Sequence, residues 1–219
     1  MWDATARALT DRPVHAPTMH GLGDSLSDWA AGVLEMIDPG PVIVVGNSVG
    51  GSCAFEVARL ARDRVAGIVV IGGKADVRPA PEMRDEALAL LGTEGLAAGW
   101  ERYWRPLFGP GASPDALADA KAMALGQDLG SVVAGVRAFH DRIDRRSVAS
   151  AWGKPLVGIS GEHDVAPPIE VVRQLATGPN RRFHLVAGCG HYVPLEQPAE
   201  FQRLLVDAVV DIEQQSQRG

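Results

Sequence analysis

The sequence predicts an α/β fold: a doubly wound, mostly parallel sheet with an inserted helical block. Three observations carry this. Short apolar runs recur at 41–46, 65–71, 155–160 and 182–186; the first is β-branched, the pattern of a strand buried on both faces, and the others follow as further strands. Helical patterns alternate with most of these runs, and that alternation implies a parallel sheet covered by helices on its two sides. Between Gly73 and Trp152 the alternation stops, and four helical patterns follow one another with no strand between them.

Taken in order, Pro13-Val14-His15-Ala16 reads as one short additional strand. Ser25 to Ile37 reads as a helix with Leu26, Trp29, Val33, Met36 and Ile37 on one face. The run Pro41 to Gly46 is the strongest strand, followed by a small-residue turn and a helix over Cys53–Ala61. Val65 to Ile71 is the next buried strand. In the helical block, Met83, Ala87, Leu90 and Leu91 form a face stopped by Gly92. Leu96, Trp100, Tyr103, Trp104 and Leu107 form a second face, with Pro106 ending or kinking it. Ser113-Pro114-Asp115 is a helix start, with Ser as cap and Pro in the first turn. Leu129, Val132, Val136, Phe139 and Ile143 make the last face. Strands at Pro155–Ser160 and Arg182–Val186 follow, with a helix entered through Pro168 between them. In the C-terminal stretch, Phe201, Leu204, Leu205, Ala208, Val209 and Ile212 recur at i, i+3, i+4, i+7, i+8 and i+11, a helix with one buried stripe. The tail from Glu213 to Gly219 reads as frayed. The domain organisation that results is a core of residues 1–73 and 152–219 and a helical cap, or lid, of residues 74–151 over the carboxyl edge of the sheet.

Composition narrows the function classes. With 219 residues, 46% hydrophobic and 22% charged, the chain has the balance of a soluble globular protein. A net charge of −6, from 21 Lys+Arg against 27 Asp+Glu, argues against nucleic acid as a partner, since phosphate binding needs a basic footprint. No apolar run approaches the ~18 residues a spanning helix requires, and the first residues lack a signal-peptide pattern. Two cysteines, Cys53 and Cys189, make neither a disulfide framework nor a zinc site. The expectation is a cytoplasmic protein that acts on a small molecule and needs no metal or cofactor.

The chemistry concentrates in three loops that follow strands. Gly46-Asn47-Ser48-Val49-Gly50-Gly51 is G-x-S-x-G between a strand and a helix, the context this motif requires. Ser48 sits on a sharp turn, and Gly46 and Gly50 are expected to remove Cβ atoms that would clash with the strand and helix. The Val49 N–H opens a helix, where partial positive charge favours an oxyanion. The competing reading, a glycine-rich nucleotide-binding turn, lacks a G-x-G-x-x-G after a strand. A serine hydroxyl needs a base. Of six histidines, His191 lies in the glycine-flanked loop 188–194 beyond the last strand, which places it at the sheet's carboxyl edge; the plain alternative is an exposed loop histidine. His184 reads as structural and His140 as solvated. The imidazole needs an acceptor that fixes its tautomer. Asp164 follows the strand at 156–160, with Glu162 as a competitor; the alternative for Asp164 is a helix cap before Pro168.

The order Ser48, Asp164, His191 is that of α/β-hydrolases, and the sequence resembles that family over nearly its whole length. Residues 46–51 resemble its nucleophile elbow and Gly161-Glu162-His163-Asp164 its acid turn. Gly190-His191, followed by Glu196, Pro198 and Phe201, resembles its histidine loop and final helix. The segment Val14–Pro17 with Gly21–Ser25 is similar to its fourth strand and glycine turn. The resemblance implies Ser48 as nucleophile, His191 as base and Asp164 as acid. Many members carry His where Asn47 stands. The helical block is similar to the family's cap, and within the family the segments 94–108 and 164–168 look most like enol-lactonases and other small-ester hydrolases. Trp100, Tyr103, Trp104 and Phe108 then line an apolar acyl pocket, or else pack the lid helices together. The function expected is cleavage of a small apolar ester or lactone through an acyl-enzyme on Ser48, with Val49 and Trp104 contacting substrate. The alternative from another class is a weak or inactive hydrolase-fold receptor or signalling protein. C–C bond hydrolysis and cofactor-free haloperoxidation use a similar triad.

The resemblance also implies a strand and an HG-type loop ahead of the helix that Trp2–Leu9 matches, between the strands of Val14 and Val42. That loop gives the second oxyanion N–H. The sequence given opens at Met1, just past that point, so the expectation is either a start further upstream or a shortened variant with half an oxyanion hole. The strands at Val14–Ala16 and Val42–Val45 are then expected to close up side by side, or the chain to be poorly stable alone.

Overall fold

In the computed structural model, which describes residues 1–9, 11–77 and 81–217, four parallel strands form one sheet in the order β1-β2-β3-β4. The strands are β1 (Val42–Asn47), β2 (Val65–Ile71), β3 (Leu156–Gly161) and β4 (Arg181–Val186), with α8 (Ile169–Leu175) between the last two. Strand order follows chain order, so each connection crosses over one face and returns parallel, as helical crossovers do. The two central strands are the most apolar. All six residues of β3 are buried, and six of the seven in β2.

Two apolar layers cover the sheet. On one face Ile68, Val70 and Leu156 pack against Leu26, Trp29 and Ala30 of α2 (Leu26–Met36) and Ala54, Phe55 and Ala58 of α3 (Val49–Leu60). On the other, Val69, Ile71, Val157 and Ile159 pack against α10 (Pro198–Ser216). Neighbours along a strand thus face opposite layers, the period-2 rule of a β-strand. All six stripe residues expected in the last helix are buried. The first helix, α1 (Asp3–Ala8), lies against α10, with Trp2 and Phe201 rings 6.0 Å apart.

Between β2 and β3 the chain forms α4 (Pro81–Gly99), a π-helical turn (Trp100–Trp104), a 3-10 turn (Arg105–Leu107), α5 (Pro114–Leu125), α6 (Leu129–His140) and α7 (Arg146–Ser150). Ser113 caps α5 through the Ala116 N–H at 3.1 Å, and Pro114 is in its first turn, as the sequence indicates. The return to the sheet is fixed by Glu56 of α3, which is 2% exposed. Its carboxylate accepts from Arg145 at 2.6 Å, Arg59 at 3.0 Å and Ser27 at 3.0 Å. Burial pushes the Glu56 carboxyl up, but these donors outweigh it and hold the group below its ordinary value.

The structure corrects four expectations. Val14–Ala16 forms no strand; the segment runs exposed, with Val14 42% accessible, and it does not close on β1. Consequently β1 is an edge strand whose residues 42–45 are only partly buried, not a strand covered on both faces, and β4 at the other edge is fully buried only at Val186. A strand forms where a neighbour takes its backbone groups, and among the described residues β1 pairs with β2 alone. The first helix of the block breaks at Gly95 (φ 75°), not at Gly92, because a positive φ ends helical geometry while an isolated glycine only weakens it. The tail is not frayed from Glu213: α10 runs to Ser216, and Glu213 takes two hydrogen bonds from Arg12, at 2.7 and 2.8 Å. Arg218 and Gly219 lie outside the described residues. Among the described residues no helix is long and apolar enough to cross a membrane.

Candidate active site

Ser48 stands between the end of β1 and the start of α3 with φ 54° and ψ −117°. A non-glycine residue there carries strain of ~1–3 kcal/mol, which the surrounding backbone must impose. Its N–H donates to the Ile71 carbonyl of β2 at 2.8 Å, and its carbonyl accepts from Ser52 at 3.1 Å. A Cβ on Gly46 would stand 2.2 Å from the Gly50 carbonyl oxygen, so only glycine fits. Gly50 is different from the sequence expectation: an added Cβ would meet only the Met19 Cε, at 3.8 Å. The second tight position is Gly51, 3.0 Å from the Gly73 Cα and a Val70 methyl. Val49 is the first residue of α3, so its N–H is one of the helix-start amides without an intrahelical acceptor.

Asp164 and His191 meet as the sequence order implies. His191 Nδ1 lies 3.0 Å from both carboxylate oxygens, and the two side chains are each 1% exposed. The carboxylate also accepts the Ala166 N–H at 2.8 Å, so Asp164 holds its own loop while facing the imidazole. Glu162 does not compete. It is half-exposed and accepts the Gly188 N–H at 2.8 Å, bracing the far side of the histidine loop. At the end of β2, Gly72 (φ 52°) lets the backbone pass under the pair: a Cβ there would be 2.8 Å from both Asp164 Oδ2 and His191 Nδ1.

The elbow and the histidine loop are joined by Asn47. Its Nδ2 donates to the Ile71 carbonyl at 3.0 Å and to the His191 carbonyl at 3.3 Å. Among the described residues its buried Oδ1 has no hydrogen-bond partner. Among the described residues no hydrogen bond joins the Ser48 hydroxyl to His191; such contacts commonly tighten only when substrate is bound. The structure therefore brings His191 and Asp164 into direct contact, and Asn47 and the end of β2 tie the Ser48 turn to their loop.

The helical block reaches the site at its π and 3-10 turns. The His191 N–H donates to the Leu107 carbonyl at 2.8 Å. Aromatic rings continue the contact: Trp100 to Phe108 at 5.8 Å, Phe108 to Tyr192 at 4.8 Å, and Tyr192 to His191 at 5.1 Å. Trp104, partly exposed, folds its ring over the Gly99 position. Of the aromatic stripe, Phe108 thus comes nearest to the base loop. Sequence reasoning passed over Asn47, Gly72 and Tyr192 as site components. The signal for Gly72 was a glycine pair closing a buried strand.

Cys189, next to Gly190 and fully buried, has its thiol pushed up to about 12 by burial and by the nearby carboxylates of Glu196 and Asp164. At neutral pH it is held as the thiol, the unreactive form. Among the described residues no group of three or more His, Cys, Asp or Glu has the arrangement of a metal site. An open cleft of about 320 Å³ lies at the opposite end of the sheet, lined by Pro155, Asn180 and the Arg182–Asp211 ion pair, away from these groups.

Comparison with known proteins agrees with the fold. The fold matches a thermophilic esterase from Thermogutta terrifontis with a TM-score of 0.84 at 23% identity, covering 96% of this chain and 85% of that one. It matches the enol-lactonase from Burkholderia xenovorans LB400 with a TM-score of 0.80 at 21% identity, covering 95% and 85%. In sequence, the chain is 28% identical to a 2-hydroxy-6-oxononadienedioate/2-hydroxy-6-oxononatrienedioate hydrolase of Paraburkholderia xenovorans, over 80% of this chain and 64% of that protein. It is 34% identical to Lipase LipV of Mycobacterium tuberculosis over 32% of this chain and 31% of the lipase. The chain therefore spans less than two thirds of the length of either relative. The sequence model described as the Alpha/beta hydrolase family matches residues 1–204, from the first residue into α10, and by that match the chain belongs to the alpha/beta hydrolase family.

Proposed function

We propose that this chain is a serine hydrolase that cleaves a small, apolar carboxylic ester or lactone without a cofactor. The observation that carries the reading is the buried His191–Asp164 contact at 3.0 Å set beside a serine on a strained strand-to-helix turn. In this reading Ser48 Oγ attacks the substrate carbonyl carbon while His191 Nε2 takes its proton. Asp164 accepts from Nδ1–H, fixes the tautomer and stabilises the imidazolium. The Val49 N–H stabilises the tetrahedral oxyanion. Collapse expels the alcohol, which takes the proton from His191 and leaves an acyl ester on Ser48. Water then attacks that ester, with His191 as base, and releases the acid.

The aromatic series Trp100, Phe108 and Tyr192 supports an apolar substrate, and the helical block that carries two of these rings is read as the lid. The fold similarity to an esterase and an enol-lactonase and the partial sequence similarity to a lipase support the same class. A second reading, C–C bond hydrolysis, is favoured by the 28% identity to the dienedioate hydrolase over 80% of this chain. It uses the same three residues. The test is turnover of a series of p-nitrophenyl esters beside 2-hydroxy-6-oxononadienedioate, for the parent and Ser48→Ala. Faster turnover of short esters, lost in Ser48→Ala with the fold retained, supports the ester reading. Preference for the dienedioate moves the assignment to C–C cleavage, and turnover of either substrate unchanged by Ser48→Ala contradicts both.

A further inference from the structure

Glu196 is the last residue of α9 (Val193–Glu196), a single turn that follows the base loop. All its resolved hydrogen bonds go to backbone. Oε2 accepts the Gly190 N–H at 3.0 Å and the Gly109 N–H at 2.7 Å; Oε1 accepts the Tyr192 N–H at 3.1 Å. The intervening His191 N–H is the one that donates to Leu107. Three successive amides around the base are thus fixed: the outer two by one carboxylate, the middle one by the helical block. The same carboxylate also holds Gly109, two residues beyond Leu107 and next to Phe108.

The two backbones touch directly at this point. A Cβ on Gly190 would lie 2.3 Å from the Gly109 nitrogen, and one on Gly109 would lie 2.7 Å from the Gly190 nitrogen. Two glycines and one acceptor-only side chain therefore make a single junction between the base loop and the foot of the helical block. A carboxylate suits it because both oxygens accept and neither presents a hydrogen. An amide of the same shape would point an N–H at a backbone N–H.

Building on the hydrolase reading above, we propose that Glu196 is a positioning residue: it locks the His191 loop to residues 107–109, so that the base and the Phe108 wall hold one relative placement. It touches no reacting atom and acts through His191. A well-placed general base contributes ~10²–10⁴-fold, and losing this junction is expected to cost a part of that.

The experiment compares Glu196→Gln in the parent and in a His191→Ala background, reading ester kcat and KM, melting temperature and the His191 Nδ1 proton resonance. The expected result in the parent is a kcat lower by about tenfold to hundredfold with KM changed by less than ~3-fold, a fraction of the base's ~10²–10⁴. The Nδ1 proton signal is expected to shift or broaden. In the His191→Ala background the further loss is expected to be below ~2-fold, since residues acting through one group are non-additive. An equal fractional loss in both backgrounds, or a lower melting temperature with kcat and the resonance unchanged, overturns the positioning role alone. His191→Ala retaining parental turnover overturns the base assignment and this role with it. If Glu196→Gln does not fold, Gly109→Ala strains the same junction from the other side, with its Cβ 3.1 Å from Glu196 Oε2, and the same pattern is expected.

Discussion

The serine turn and the histidine loop are held in place by different means. The turn is local. Six consecutive residues, Gly46 to Gly51, contain the end of the strand, the strained serine and the start of the helix, and at its tightest point the Gly50 carbonyl leaves no room for a Cβ on Gly46. The histidine loop is assembled from afar. Its backbone is gripped by Leu107 and, through Glu196, by Gly109; Asn47 reaches it across 144 positions of sequence, and Asp164 across 27. The serine can be written as a short motif because the local backbone itself strains it. The imidazole is aimed by whatever the fold brings to its loop.

The largest expected effect separates the two carboxylates near that loop. Asp164→Asn is expected to lower ester kcat by up to ~10⁴-fold, the loss that follows when a triad acid becomes an amide and the imidazole tautomer is no longer fixed. Glu162→Gln, whose carboxylate meets the Gly188 N–H and the His163 ring rather than His191, is expected to stay within about twofold of the parent, since an amide oxygen still accepts one bond. The reverse order in steady-state kinetics would move the acid role.

Next come the glycines, which test local against remote support. Gly190→Ala would drive a Cβ to 2.3 Å from Gly109 N and 2.5 Å from the Leu107 carbonyl oxygen. Overpacking backbone of this kind typically costs ~1–3 kcal/mol or more, and kcat is expected to fall with the melting temperature. Gly50→Ala, though inside the serine motif, has open space around it and is expected to melt within a few degrees of the parent. Thermal unfolding of the two variants side by side checks this. A Gly50→Ala protein destabilised more than Gly190→Ala would reverse the comparison.

The smallest effect lies outside the site. Glu56 is held below its ordinary carboxyl value of 4.5 despite burial. A depressed folded-state value means the unfolded chain binds the proton more readily. The contribution of Glu56 is therefore complete above the ordinary carboxylate range and is lost as pH falls below it through the folded value. Urea denaturation is expected to show a fall in stability below about pH 4.5. Glu56→Gln should flatten part of that fall while lowering stability at pH 7. An identical pH slope in the two proteins would remove Glu56 from the account.

Much of the fold was legible in the sequence because its signals are periodic or local. The stripe from Phe201 to Ile212, the runs of β2 and β3, the Ser113 cap and the G-x-S-x-G turn each carry their information within about a dozen residues. What was missed depends on neighbours. The runs at 14–16 and 42–46 have strand composition, but a sequence run does not say whether another strand lies beside it. Val14 is left exposed and β1 at an edge. Gly92 and Gly95 look alike as letters, yet only Gly95 takes a positive φ. Gly50 looked as constrained as Gly46 because the motif lists both, while the close approach falls on Gly46 and Gly51. At the site, Ser48, Asp164 and His191 were named from chain order and loop position. Glu196 was visible only as a residue shared with the family's final helix. Its role rests on backbone donors as far as 87 positions away, which no spacing rule shows.

The central claim is that Ser48 is a nucleophile activated by His191, which Asp164 orients. Reaction with a fluorophosphonate probe, followed by peptide mass spectrometry, tests it most directly, since the phosphonyl group is trapped only by an activated serine. Stoichiometric labelling on the peptide carrying Ser48, abolished in Ser48→Ala and slowed by orders of magnitude in His191→Ala and Asp164→Asn, is the predicted result. A folded parent protein that stays unlabelled, or labelling at Ser48 as fast without His191 as with it, would contradict the claim and favour a hydrolase-fold protein that binds its ligand without cleaving it.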